Sequence, residues 1–122
     1  MTDQQKFDAA DLDRVRARKE VGIRISGQRA VTIWIVVVDG AVFVRSVRGP
    51  RGKWYRAAQA AGDATLIVDR QEFVVRVSPV SDPATLDAVS QAFLSKYATS
   101  PYAQAMVSAD TVPTTLRLDP CR

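Results

Sequence analysis

The sequence predicts an α+β domain: six short strands in an antiparallel sheet that can curl into a small barrel, with helices flanking it. Three observations carry that expectation. β-branched and alternating runs recur along the chain, joined largely by hairpins, and two of them meet at Asp39-Gly40, a strong type I′ turn signal. Amphipathic segments with cap residues stand before, between and after those runs. The 122 residues are 47% hydrophobic, enough for one domain with a real core and against global disorder.

Taken in order, residues 1–7 are expected to be a disordered tail of a single domain spanning 1–122. Asp8 to Lys19 reads as a helix capped by Asp8, with Ala9, Leu12 and Val15 as its apolar stripe. Gly22 to Ser26 alternates as a strand, Gly27-Gln-Arg29 turns the chain, and Val31 to Val38 is an almost continuous β run suited to burial on both faces. The returning strand, Ala41 to Val47, sets Val42, Val44 and Ser46 on one face and Phe43, Arg45 and Val47 on the other. Lys53 to Ala61 is helical with Gly62 as its C-terminal cap. Ala64–Asp69 and Glu72–Ser78 form a second hairpin. Asp82-Pro83 opens a helix that runs through Leu86, Val89 and Phe93 to Tyr97, and Ser100-Pro101 starts a short one through Val107. Thr114 to Leu118 closes as a strand.

Composition excludes several chemistries. There is no histidine and only one cysteine, Cys121, so His-based triads, His-bearing zinc or iron sites, all-thiolate metal sites and an internal disulfide are ruled out. No carboxylate pair has glycosidase-like spacing, and nothing marks Tyr55, Tyr97 or Tyr102 as activated. What is left is chemistry carried by a cofactor, or binding alone. The N-terminus lacks the apolar core of a signal peptide and no run approaches the roughly 18 residues of a membrane span, so a cytoplasmic protein without a membrane partner is expected.

The charge is local. Five of the seventeen basic residues lie in Arg45–Arg56, which has no acid; the remainder holds twelve basic and thirteen acidic residues, a formal charge of −1 where the whole chain carries +4. Within it, Gly49-Pro50-Arg51-Gly52 is neither a Walker loop nor a dinucleotide fingerprint. It does combine glycine-freed amides, the cations Arg48, Arg51 and Lys53, and the start of a helix, all of which favour an anion; the plainer reading is a solvated turn. Trp54 and Tyr55 cannot share one helix face, so one enters the core and the other is left to wall a pocket or stack on a ring. Ser46 can donate to a phosphate oxygen, with Arg45 and Arg56 pairing to it. Trp34, mid-strand, reads as core, and Arg76 as either an exposed strand residue or a barrel-edge anion contact. The expected ligand is a small phosphate-bearing aromatic molecule. Nucleic acid is the weaker reading, because the positive charge is confined to one loop.

The blocks Thr32-Ile-Trp34 to Val38-Asp-Gly40, Val44-Arg-Ser-Val-Arg-Gly49, Lys53-Trp-Tyr-Arg56, Phe93-Leu-Ser-Lys-Tyr97 and Thr115-Leu-Arg-Leu-Asp-Pro120 resemble the bacterial family known as domain of unknown function 2255. The order of the glycine turn at Ser26-Gly-Gln-Arg29, the apolar strand, the Asp39-Gly40 hairpin, the return ending in Ser46, the basic loop and Trp54-Tyr55 is more distantly similar to the split β-barrel FMN and deazaflavin proteins of the nitroreductase-like group. Here Lys53 replaces that group's proline and Arg56-Ala57-Ala58 its Asn-Leu. The resemblance implies a split barrel, a homodimer and an FMN or deazaflavin cofactor. It implies cofactor contacts at Arg45, Ser46, Arg48, Gly49, Lys53, Trp54, Tyr55 and Arg56, with no catalytic side chain.

Overall fold

The computed structural model describes residues 6–121. Three α-helices, α1 (Ala9–Ala17), α2 (Lys53–Ala61) and α3 (Pro83–Lys96), accompany seven strands: β1 (Val21–Arg24), β2 (Val31–Ile33), β3 (Val36–Val38), β4 (Ala41–Val44), β5 (Asp63–Val68), β6 (Gln71–Pro79) and β7 (Leu116–Pro120). All neighbours pair antiparallel, in the order β2-β1-β5-β6-β7-β4-β3. The sheet curls into a half-barrel, since its two edge strands, β2 and β3, are consecutive in the chain and separated only by Trp34 and Ile35. Among the described residues no helix is long and apolar enough to cross a membrane.

The extra strand corrects the expectation of six. Val31–Val38 is one β-forming run in sequence, but Ile35 is taken out of the ladder. Its N–H donates to the Tyr97 hydroxyl at 3.0 Å, and its carbonyl accepts from Lys96 Nζ at 2.8 Å and lies 3.1 Å from Tyr97 Oη. Side chains of the α3 C-terminus thus satisfy the groups a neighbouring strand would have used, and the run breaks there.

Burial on both faces of this sheet makes two cores. Val42 and Val44 join Ile23, Leu66, Val75, Leu116 and Leu118 inside the barrel, while Phe43 and Val36 meet Val89, Phe93, Tyr97 and Met106 of the helical layer. The turns follow their sequence signals. Asp39 and Gly40 sit at φ 50° and 77°, and Asp69 and Arg70 at 52° and 72°, both compatible with primed two-residue hairpin turns. Asp8 caps α1 through the Asp11 N–H at 2.9 Å, Asp82 caps α3 through that of Thr85, also at 2.9 Å, and Gly62 closes α2 at φ 79°.

Smaller departures have local causes. The predicted strand start at Thr114 becomes a 3-10 turn, because the Thr114 and Thr115 hydroxyls donate back to the Thr111 and Val112 carbonyls at 2.6 and 2.7 Å. The helix expected after Ser100-Pro101 is likewise a 3-10 stretch, Ala103–Val107. Of the expected tail, residues 1–5 lie outside the described residues; Phe7 is buried, its ring edge-on to Phe73 at 5.4 Å.

Candidate functional site

A cleft of about 840 Å³ opens between edge strand β2 and the exit of β4. Val31, Ile33, Trp34, Val47, Tyr102 and Met106 give it an apolar wall, and Arg48, Arg51 and Lys53 a cationic one, with Trp54 beside them. Val31, Val47 and Tyr102 are three of the four large hydrophobic residues left exposed among the described residues, Tyr102 at 69%. Both tryptophans of the chain line this cleft.

The basic loop is built from its glycines upward. Past β4 the Ser46 carbonyl accepts from the Gly49 N–H at 2.9 Å, and the Gly49 carbonyl from the Gly52 N–H at 3.1 Å and the Ser46 hydroxyl at 2.8 Å. Gly49 adopts φ 69°, and a side chain at Gly52 would place its Cβ 2.2 Å from Ser46 Oγ. This compact turn delivers the chain into α2, whose N-terminus has no side-chain cap and no acid in its first turn. The positive end of the helix dipole therefore lies beside Arg48, Arg51 and Lys53. None of these three cations makes an ion pair among the described residues, whereas Arg14, Arg16, Arg18, Arg24 and Arg117 do.

The residues expected to form the site differ in how the structure places them. Arg45, expected to contact phosphate, is 1% exposed and turned into the protein. Its Nε donates to Thr115 Oγ1 at 2.8 Å, Nη1 to Ser90 Oγ at 2.9 Å and the Met106 carbonyl at 2.8 Å, and Nη2 to the Leu86 carbonyl at 2.9 Å, with the guanidinium 5.5 Å from the Phe93 ring centre. Burial without a carboxylate partner pushes its pKa down to about 10, so it stays charged at neutral pH and pins β4 to α3 and β7. Ser46 is equally enclosed and its one hydroxyl proton goes to the Gly49 carbonyl, while the Gly49 amide donates to the Ser46 carbonyl, so both residues shape the loop. Tyr55 enters the barrel core while Trp54 walls the cleft, its ring edge-on to Tyr55 at 6.4 Å. Arg56 is exposed and lies outside the cleft lining. Of the expected set the cleft lining thus holds Arg45, Ser46, Arg48, Lys53 and Trp54, the first two buried and the other three at least partly exposed, while Gly49, Tyr55 and Arg56 lie outside it.

Trp34 reads as core in the sequence but is only half-buried. Its ring stacks parallel on Tyr97 at 3.9 Å, and it also lines the cleft. Tyr102, which the sequence offers only as an unactivated hydroxyl, and Val47, which it offers only as a strand residue, are marked as cleft residues by their exposure. Arg76 is exposed on β6, in register with Asp63 on one neighbour and Asp119 on the other, away from the cleft. No group of three or more potential metal ligands occurs among the described residues.

The family described as "Uncharacterized protein conserved in bacteria (DUF2255)" matches residues 6–118. The chain belongs to DUF2255. No curated protein matches it. Among solved structures this DUF2255 chain is similar to the conserved hypothetical protein Rv2991 of Mycobacterium tuberculosis, with a TM-score of 0.72 at 14% identity over 100% of this chain and 86% of that one. It is also similar to an FAD-binding protein of Mesorhizobium loti (TM-score 0.62, 15% identity, 95% and 91% covered) and to the heme storage protein HutZ of Vibrio cholerae (0.64, 13%, 93% and 90%). At these identities the likeness is one of fold.

Proposed function

We propose that this DUF2255 chain binds a flavin-type cofactor, FMN or a deazaflavin, in the cleft and serves as an oxidoreductase by hydride transfer. The observation that supports it most is the mixed lining of the cleft. It combines three cations that make no ion pair among the described residues, at an uncapped helix start, with an apolar wall and the chain's two tryptophans. That suits a phosphate group joined to a flat ring system. The Mesorhizobium loti FAD-binding neighbour is consistent with it.

In this reading Arg48, Arg51 and Lys53 hold the phosphate, the first-turn amides of α2 donate to its oxygens, and Trp34 and Trp54 supply stacking surface. Arg45, Ser46 and Gly49 keep that surface in place through their internal hydrogen bonds. The chemistry supplied by such a cofactor, when bound, is transfer of a hydride from one substrate to another, so no side-chain nucleophile is required. The exposed Val31, Val47 and Tyr102 at the mouth are where a second copy would close the cleft, making the protein a homodimer.

Near-ultraviolet and visible absorbance of the purified protein, then titration with FMN and with a deazaflavin while tryptophan emission is followed, tests the reading. A flavin-like band or saturable quenching is the expected result, and sedimentation of the same sample reads the dimer. A colourless protein that neither ligand quenches would refute it, and a non-catalytic barrel binding a small anion, or nothing, would take its place.

A further inference from the structure

Trp34 has little of its own to hold it in the cleft wall. It falls in the two-residue gap between β2 and β3, outside either ladder, and makes no hydrogen bond among the described residues. It also borders open space twice. Besides the cleft it lines a second hollow of about 460 Å³, which Lys19, Glu20, Tyr97, Thr99 and Ser100 help to enclose. The dense packing that fixes a core side chain is therefore incomplete around the indole. Tyr97 supplies what is missing. It is the C-terminal cap residue of α3 and is 1% exposed, and its ring lies parallel to the indole at 3.9 Å, with the Phe93 ring 6.0 Å away. Its hydroxyl accepts from the Ile35 N–H at 3.0 Å and donates to the Lys19 carbonyl at 2.7 Å. One side chain thus meets both the Trp34 ring and the peptide that follows it.

We propose that Tyr97 is a positioning residue for the cleft and acts through Trp34: its ring backs the indole and its hydroxyl pins the Ile35 amide, so the wall is in place before a flat ligand arrives. This rests on the reading of the cleft as a ligand site and adds to it a residue that does not line the cleft. A wall already ordered spares binding the cost of immobilising a side chain. Without the hydroxyl the Ile35 N–H, in a residue with no exposed surface, loses its acceptor, and the backbone must shift to find another, taking Trp34 with it. Without the ring as well, the stacking contact is lost and the indole can turn toward the second hollow. Lys96 Nζ still holds the Ile35 carbonyl at 2.8 Å in both cases, so the gap loosens rather than opens.

The experiment has two arms. In the Trp54→Phe protein Trp34 is the only tryptophan, so its time-resolved emission anisotropy and acrylamide quenching report the wall without any ligand. Tyr97→Phe should add a fast component to the anisotropy decay and raise quenching, and Tyr97→Leu should do more of both. In the second arm, with Trp54 restored, FMN affinity is measured in a double-mutant cycle of Tyr97→Phe and Trp34→Leu. Tyr97→Phe alone should weaken FMN about fivefold, the cost of ordering one side chain. In the Trp34→Leu protein the same change should weaken it less than about twofold, because the residue it acts through is gone.

An anisotropy decay and quenching unchanged by Tyr97→Phe and Tyr97→Leu would overturn the proposal. So would a loss of FMN affinity of equal size with and without Trp34, since Tyr97 would then act on the fold at large. Because the first arm needs no ligand, a native protein that does not bind FMN refutes the ligand reading while the anisotropy still decides whether Tyr97 holds Trp34. If Tyr97→Leu fails to fold, Tyr97→Phe, which keeps the ring, carries both arms.

Discussion

Arg45 and Arg48 are three residues apart in one basic loop, and the structure gives them opposite work, so replacing each in turn separates frame from site. Arg45→Met keeps much of the stem but removes four hydrogen bonds, to Thr115, Ser90, Met106 and Leu86. At about 1.5 kcal/mol each, the lower end for bonds to a charged group, the gross loss is about 6 kcal/mol. No longer holding an unpaired cation inside recovers several kcal/mol, about half of that. The net expectation is a loss of about 3 kcal/mol, or about 10 °C in the unfolding midpoint for a chain of this size. FMN affinity of the protein that remains folded should stay within about twofold of native, because Arg45 is buried and its guanidinium is already engaged by four partners inside the protein. Arg48→Ala and Lys53→Ala should do the reverse: a midpoint within about 2 °C of native, and affinity reduced about fivefold each, as for a partly exposed charge pair. Circular dichroism melts and fluorescence titration read both quantities on the same samples. An Arg45→Met protein with a native midpoint and lost affinity would refute the reasoning, since Arg45 would then be a ligand contact.

Further outcomes follow from the loop and from the α3 C-terminus. Gly52→Ala should destabilise by about 2 kcal/mol because its Cβ would lie 2.2 Å from Ser46 Oγ. Adding Ser46→Ala removes that atom and should return most of the loss; a double variant as unstable as Gly52→Ala would show that close approach is not why the position is glycine. Stability should also depend on alkaline pH in two opposed steps, measured by urea unfolding. Lys96 titrates at about 8 when folded, below its value of 10.5 when unfolded, so over that interval the unfolded chain holds more protons and stability rises with pH. Tyr97 titrates at about 12 when folded against 10.0 unfolded, so above about pH 10 the folded chain holds more protons and stability falls. Lys96→Met should remove the rise and leave the fall. A stability gain that persists in Lys96→Met would assign the rise to another group.

Much of the fold was legible in local chemistry. The Asp39-Gly40 hairpin, the Asp8 and Asp82 caps, Gly62 at the end of α2 and the alternation in β1 and β4 each involve groups within a few residues of one another, and each is present as expected. The gathering of positive charge in Arg45–Arg56 was equally visible, and so was the division of labour between Trp54 and Tyr55, which follows from helix periodicity.

What the sequence did not contain was the destination of each polar group. Whether Arg45 points to ligand or to Leu86, Ser90, Met106 and Thr115 depends on partners 41 to 70 residues away, and nothing in the loop distinguishes Arg45 from Arg48. The break at Trp34–Ile35 is a conflict that local propensity loses: an uninterrupted β run is split because Lys96 and Tyr97, about sixty residues on, satisfy the Ile35 backbone better than a ladder that must curve past it. Trp34 becomes a cleft residue only through that break. Sequence by itself thus determined which segments fold and where the charge lies, since those depend on neighbours along the chain. Only the tertiary structure decided which cations are free to meet a ligand, because a buried donor takes whatever acceptor the packing brings to it.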